Sequence, residues 1–157
     1  MSSNITFARN LVKGKIAETV FAQMLRSTRE FTVLEFGYEK IVPELLNEVP
    51  EGEKRTIETL RTAPDFAVIN HKTREVHLIE VKYLHTLDSG YVLRYAKRMN
   101  ESWNPSYLFI ASENGFYFGD VKKICEDNGI IAPLKHPQIP DELQAQYHKI
   151  LIDFEAK

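Results

Sequence analysis

The sequence predicts an α/β or α+β fold in which a mixed sheet is flanked by helices. Segments with apolar residues at helical spacing alternate with short runs rich in β-branched and aromatic residues. Their order along the chain is helix, several strands, helix, strand and helix, which is typical of a sheet covered by helices. A length of 157 residues suits one apolar core, so we expect residues 1–157 to form a single domain.

The first helix is predicted at residues 7–27 because Ala17, Val20, Phe21, Met24 and Leu25 fall within one arc of a helical wheel. Cap and turn residues delimit the other elements. We expect strands at 31–36, 65–69, 76–84, 106–112 and 116–118, and helices at 41–47, 91–102, 121–127 and about 140–156. The last helix carries an apolar stripe, which either caps the sheet or contributes to a dimer.

The composition narrows the class of protein. Hydrophobic residues make up 43 % of the chain and charged residues 27 %, which is ordinary for a globular protein. Cys125 is the only cysteine, which excludes an internal disulfide and a cysteine-cluster zinc site. No apolar run reaches the roughly 20 residues of a membrane span, and the N-terminus lacks the features of a secretory signal. We therefore expect a cytoplasmic protein. The net charge of −2 neither supports nor excludes binding to nucleic acid.

Two carboxylates and a lysine are predicted to meet at the open end of a hairpin. If the strands at 65–69 and 76–84 pair around a turn at residues 72–73, Ala67 lies opposite Leu78 and Asp65 lies opposite Glu80. Cross-strand neighbours have Cβ atoms roughly 5 Å apart, close enough for two carboxylates to share one cation. Lys82 points to the same face as Glu80 because side chains alternate along a strand.

This arrangement suits a hard divalent cation such as Mg²⁺, which binds through a few carboxylates and keeps several waters. A lysine beside the ion can orient a water or stabilise charge on a phosphate. The alternative is that Lys82 simply forms an ion pair with an acid at the strand end. Glu18 lies at the edge of the apolar arc of the first helix, where the helix meets the core. The alternative interpretation of Glu18 is a surface residue whose aliphatic part lies along the edge of the core while its carboxylate stays in water.

The residues Pro64-Asp65-Phe66 and Ile79-Glu80-Val81-Lys82, separated by a hairpin-length gap, resemble the signature of the PD-(D/E)XK nuclease superfamily. Gly14-Lys15-Ile16-Ala17-Glu18 is similar to the Gly-x-x-x-Glu of the first helix in its Holliday junction resolvase-like branch. The resemblance covers about residues 10–112 and implies a restriction-endonuclease-like sheet. It also implies a metal-dependent endonuclease that hydrolyses DNA, either resolvase-like or site-specific, and that often works as a homodimer.

The same resemblance implies a role for each matched residue. Asp65 and Glu80 bind Mg²⁺, which Mn²⁺ can replace, and the backbone carbonyl of Val81 is a third ligand. Lys82 positions the attacking water. Glu18 supports the metal directly or through water, or helps to bind a second ion, so the number of ions stays open. No organic cofactor and no membrane partner is expected.

Basic residues near these motifs are candidate phosphate contacts. They are Lys13 and Lys15 in the first helix and Arg94, Lys97 and Arg98 in the helix at 91–102. Tyr91 and Tyr95 are interleaved with the second group and could stack on exposed bases. The alternative is an ordinary solvated helix whose tyrosines pack inward.

Three other interpretations stay open. The chain could be a catalytically inactive nucleic-acid-binding protein on the same fold, although such proteins usually lose a metal ligand. It could be an RNA-cleaving effector on the same scaffold. It could also be an unrelated enzyme with a coincidental match, in which case Asp65 and Glu80 would lie far apart.

Overall fold

A computed structural model of the protein describes residues 2–37 and 62–155. It confirms the predicted class, a mixed sheet of five strands flanked by helices. The predicted helix at 41–47 lies outside the described residues. The elements are α1 (Ser2–Ser27), β1 (Phe31–Glu35), β2 (Phe66–Asn70), β3 (Val76–Tyr83), α2 (Ser89–Ser102), β4 (Tyr107–Ser112), β5 (Gly115–Asp120), α3 (Val121–Glu126) and α4 (Asp141–Glu155).

The sheet has the strand order β1-β2-β3-β4-β5. The pairs β1–β2, β2–β3 and β4–β5 are antiparallel, whereas β3 and β4 run parallel. Helix α2 forms the crossover that a parallel pair requires. The sheet is therefore mixed: its central strand, β3, is antiparallel to β2 on one side and parallel to β4 on the other.

The register predicted for the β2–β3 hairpin is confirmed. Ala67 pairs with Leu78 and Ile69 with Val76. The turn closes because the side-chain Oδ1 of Asn70 accepts hydrogen bonds from the backbone N–H groups of Lys72 and Thr73, at 2.9 and 3.2 Å. The strands differ from the prediction by one residue at their open end, since β2 begins at Phe66 rather than at residue 65.

Two apolar cores cover the two faces of the sheet. Helices α1 and α4 pack on one face, with Phe21 and Met24 of α1 and Leu151 of α4 fully buried. Helices α2 and α3 pack on the other face, with Val92 and Ile124 buried against β4. The sheet is thus shielded on both sides, which fits the apolar character of β4.

Helix α1 begins five residues earlier than predicted and runs for 26 residues. Residues 4–12 are all exposed, so the first part of the helix has no face against the core. Helix α4 packs on α1 and on β5. Its last turn is tied to the sheet because Glu155 accepts a hydrogen bond from the Tyr83 hydroxyl and contacts the His85 ring at 2.6 Å. In the described part of the chain, no helix has the length and apolar character required to cross a membrane.

Candidate active site

The four residues predicted to form an active centre line one cleft with a volume of about 490 Å³. Glu18 comes from α1, Asp65 from the residue before β2, and Glu80 and Lys82 from β3. Glu80 and Lys82 lie two residues apart on β3, as the period of a strand requires for side chains on one face. The structure therefore brings together carboxylates that are up to 62 residues apart in sequence.

Asp65 is fixed in place by hydrogen bonds to three backbone groups. Its Oδ2 accepts from the N–H of Val81 at 2.8 Å. Its backbone carbonyl accepts from the N–H groups of Phe36 and Gly37, at 2.9 and 3.2 Å. A Cβ atom on Gly37 would lie 3.5 Å from the Cα of Asp65, so the two chain segments are in close contact. The position of the Asp65 carboxylate is thus set by β3 on one side and by the end of β1 on the other.

The three carboxyl groups lie close enough to influence one another electrostatically. Asp65 interacts with both Glu18 and Glu80. Burial, followed by the negative charge of Glu80, raises the pKa of Asp65 from 3.8 to about 8. Burial, followed by the charge of Asp65, raises the pKa of Glu18 from 4.5 to about 7, although Lys15 acts in the opposite direction. Without a cation, the cluster therefore holds protons near neutral pH.

Glu80 and Lys82 face each other across a distance of 3.6 Å between Oε2 and Nζ. The side chain of Glu80 is 14 % exposed and that of Lys82 is 37 % exposed, so the ammonium group reaches the open side of the cleft. The second carboxylate oxygen of Glu80, Oε1, is buried and has no hydrogen-bond partner within the described residues. A buried acceptor of this kind is costly unless a donor or a cation reaches it.

The aromatic ring of Tyr95 in α2 lies next to the ammonium group of Lys82. The Lys82 Nζ lies 5.0 Å from the centre of the Tyr95 ring, within range of a cation–π interaction. Both residues line a smaller cleft of about 70 Å³ beside the first one, together with Arg98. The sequence suggested Tyr95 only as a residue that stacks on bases or packs inward. Its contact with Lys82 depends on how α2 crosses the sheet, which periodicity does not reveal.

The carboxylate donors fit a hard divalent cation in their chemistry, and the unpartnered Glu80 Oε1 fits the same interpretation. Their present arrangement is not a ready-made set of ligands. Over residues 2–37 and 62–155, no group of three or more His, Cys, Asp or Glu side chains is placed so that it could hold a metal ion. The pKa values of Asp65 and Glu18 are raised, so an ion that binds near neutral pH would have to displace the protons that these two groups hold. The predicted Val81 ligand stays a prediction, while its N–H is used by Asp65.

The candidate phosphate contacts fall in different places. Lys15 lines the main cleft and lies 3.5 Å from Glu18, and Arg98 lines the smaller cleft. Lys13 lies away from both, 3.9 Å from Glu155. Arg94 and Lys97 are exposed on α2, with the Arg94 guanidinium 5.2 Å from the Tyr91 ring centre.

Four polar side chains of the main cleft were not predicted. They are Thr19, Gln23, Arg26 and Glu35. Arg26 donates a hydrogen bond to the carbonyl of Val33 at 2.9 Å, which holds it beside β1. Lys15, Thr19 and Gln23 follow one another at intervals of four residues, which places them on one face of α1. This spacing could have predicted that Thr19 and Gln23 lie on the same side of the helix as Lys15.

Comparison with protein-family models and with curated proteins finds no match for this chain. The interpretation of the site therefore depends on the four motif residues and on their geometry.

Proposed function

We propose that this protein is a metal-dependent endonuclease that hydrolyses phosphodiester bonds of DNA, either resolvase-like or site-specific. The observation that supports it most is the meeting of Glu18, Asp65, Glu80 and Lys82 in one cleft. Asp65 and Glu80 line the same cleft, and the charge of Glu80 helps to raise the pKa of Asp65, which supports the proposal that the two carboxylates act together.

Within this proposal, Asp65 and Glu80 would hold Mg²⁺ or Mn²⁺, with help from the Val81 carbonyl and from Glu18. The ion would polarise the phosphate and lower the pKa of a bound water. Lys82 orients the water that attacks phosphorus in line with the leaving oxygen, and its charge stabilises the negative charge that develops on the phosphate. The water oxygen forms the new P–O bond as the bond to the leaving oxygen breaks, and the proton that the water loses balances the proton that the leaving oxygen takes up. Glu80 and Tyr95 keep the Lys82 ammonium at the mouth of the cleft.

Cationic side chains around the clefts support a polyanionic substrate. Lys15 and Arg26 line the main cleft, and Arg98 lines the smaller one. Arg94 and Lys97 extend this charge along the exposed surface of α2. Phosphate contacts of this kind position a strand without reading its sequence. The choice of DNA over RNA depends on the motif resemblance alone.

The test is cleavage of a panel of plasmid, linear duplex, four-way junction, single-stranded DNA and RNA. Each substrate is incubated with Mg²⁺, with Mn²⁺ or with EDTA. Lys82→Ala is the inactive variant, and Lys122→Ala is the matched control because Lys122 is an exposed lysine on α3 that lines neither cleft. We expect metal-dependent cutting by the wild type and the control, and none by Lys82→Ala.

A nucleic-acid-binding protein without catalysis is the second candidate. One observation favours it, the lack of a ready-made set of metal ligands in the described residues. Binding to the panel without cleavage in any metal would favour this candidate over the nuclease. A preference for RNA would instead favour an RNA-cleaving effector.

A further inference from the structure

One face of α1 carries a row of polar side chains along the main cleft. Lys15, Thr19, Gln23 and Arg26 all line this cleft, and they fall within an arc of about 80° on a helical wheel. The row begins at Lys15, which lies 3.5 Å from Glu18, and it ends at Arg26 beside β1. It covers about 16 Å along the helix axis, the length of a few consecutive nucleotides of an extended strand. We call these four residues the α1 row.

The side chains of the α1 row differ in what they can donate. Arg26 uses one guanidinium N–H to bind the carbonyl of Val33 at 2.9 Å, which holds the side chain in place. A guanidinium carries several N–H groups in a planar fork, so this bond leaves most of the fork for the oxygens of a phosphate. Gln23 is exposed, and its amide can donate to the same kind of oxygen. Thr19 donates its hydroxyl hydrogen to the carbonyl of Lys15 at 2.9 Å and thus provides a small, uncharged part of the wall.

The charges in the main cleft suit one nucleic-acid backbone rather than two. Among the residues that the structure describes, the lysine and arginine side chains that line it are Lys15 and Arg26 of α1 and Lys82 of β3. The wall formed by the end of β1 contributes Glu35, whose carboxylate would repel a second backbone. The volume of about 490 Å³ is that of a site for a small molecule, so the two backbones of a duplex cannot enter together.

The depth of the catalytic groups also favours an unpaired strand. The side chains of Glu18 and Glu80 are 24 % and 14 % exposed, so their carboxylates lie below the surface of the protein. A phosphate that reaches them must follow a backbone that bends into the cleft. Duplex DNA is stiff, with a persistence length of about 150 base pairs, whereas an unpaired strand can bend at each nucleotide.

We propose that the α1 row binds the sugar–phosphate backbone of one unpaired DNA strand, beside the phosphate that lies at Lys82. This inference rests on the proposed function and narrows its substrate to DNA that is unpaired at the cleft, as in single-stranded DNA or beside a branch point. Lys15 contacts the phosphate nearest the carboxyl groups, and Arg26 contacts one farther along the strand. All these contacts go to the backbone, so the α1 row positions the strand without reading its sequence.

A polar face is also ordinary for a helix at the surface of a protein. Two observations distinguish the α1 row from such a face. The row lines the same cleft as Asp65 and Glu80, and the side chain of Arg26 is held by a hydrogen bond rather than extended into water. A donor that is already held in place loses less conformational entropy when a ligand binds to it.

The test is DNA binding in EDTA, where no cleavage is expected. The probes are a fluorescent oligothymidine of about 12 nucleotides and a duplex of the same length, and fluorescence anisotropy gives the dissociation constants. We expect the wild type to bind the single strand at least about tenfold more tightly than the duplex. Gln23→Glu should weaken binding of the single strand about fivefold at low salt, because it places a negative charge beside a phosphate. Gln146→Glu is the matched control, since it makes the same change at an exposed glutamine of α4 that lines neither cleft.

The salt dependence of binding provides a second measurement, which a change in stability does not imitate. The logarithm of the binding constant falls linearly with the logarithm of the salt concentration, and each phosphate neutralised on a single strand adds about 0.7 to the slope. Arg26→Gln should reduce the slope by about this amount. Lys122→Gln, which removes the charge of an exposed lysine on α3, should leave the slope unchanged. Thermal unfolding of each variant checks that it stays folded.

Equal or tighter binding of the duplex would overturn the proposal, and so would a wild type that binds neither probe. Gln23→Glu and Arg26→Gln variants that behave like their controls would overturn it as well. A wild type that cleaves DNA in Mg²⁺ while these variants bind normally would remove only this inference. Weaker binding by the variants of a protein that cleaves nothing in any metal would keep the α1 row as a binding site and refute the nuclease proposal.

Discussion

The carboxyl cluster predicts that the metal-free protein loses stability as the pH rises and that Asp65→Asn reduces this loss. Asp65 is surrounded by two other carboxyl groups in a half-buried position. Asparagine keeps an acceptor for the Val81 N–H but carries no charge. The charge of Asp65 also raises the pKa of Glu18, so the substitution removes one buried charge and the repulsion that this charge exerts on Glu18.

The pKa values of Asp65 give the direction and the size of the change in the free energy of unfolding with pH. The pKa of Asp65 is 3.8 in the unfolded chain and about 8 in the folded protein, so the unfolded chain ionises first. The stability that this group contributes is fully present below pH 3.8 and is lost as the pH rises towards about 8. The loss is about 1.4 kcal/mol per pH unit, or about 4 kcal/mol between roughly pH 5 and 8. Screening by water at a half-buried site reduces this to about 2–4 kcal/mol.

The assay is urea unfolding in EDTA at several pH values, followed by circular dichroism, for the wild type and Asp65→Asn. Taking the difference between the two proteins cancels groups that titrate elsewhere. We expect Asp65→Asn to become the more stable protein as the pH rises from about 5 to 8, by about 2–4 kcal/mol at the upper end. A difference that stays constant with pH, or one of opposite sign, would refute the argument that Asp65 is buried among like charges.

Three further substitutions test other parts of the structure. Lys82→Met should lower the rate of metal-dependent cleavage by about 10²–10⁴-fold with little change in DNA binding. Full cleavage activity of this variant in a gel assay would show that Lys82 has no part in catalysis. Tyr95→Leu should slow cleavage by roughly 2- to 30-fold, because it removes the ring that contacts Lys82. Tyr95→Phe keeps this ring and should cleave at the wild-type rate. Equal single-turnover rates for Tyr95→Leu and Tyr95→Phe would argue against a role for the cation–π contact. Gly129→Ala should destabilise the protein by more than about 2 kcal/mol, because φ is +90° and the new Cβ would lie 2.1 Å from the Ser89 carbonyl oxygen. Gly14→Ala is its control, since nothing lies within 4 Å there, and an equal urea midpoint for the two would contradict the observed packing of α2.

Local pattern was sufficient to predict the hairpin that carries most of the site. Strand alternation and a short turn fixed the pairing of Ala67 with Leu78. That register in turn placed Asp65 next to Glu80, and helical periodicity placed Glu18 at the border of the core. These predictions succeeded because each depends on residues close together in sequence or on one helical repeat.

Features that depend on long-range packing were not predicted. The parallel pairing of β3 with β4 follows from the path of α2 across the sheet, and the same path brings Tyr95 to Lys82. The position of Arg26 beside β1 depends on a bond to a carbonyl seven residues away. The extension of α1 to Ser2 also escaped prediction, since an exposed helix end has no apolar period to reveal it.

The proposed function of this cleft is the hydrolysis of phosphodiester bonds by a water that a metal ion activates. Its most direct test is cleavage of the preferred substrate in ¹⁸O-labelled water, with mass spectrometry of the product ends, for the wild type and Glu80→Gln. We expect one labelled oxygen in the terminal phosphate of wild-type products in Mg²⁺, and no product in EDTA or from Glu80→Gln. Unlabelled product ends, or cleavage that persists in EDTA or in Glu80→Gln, would contradict it.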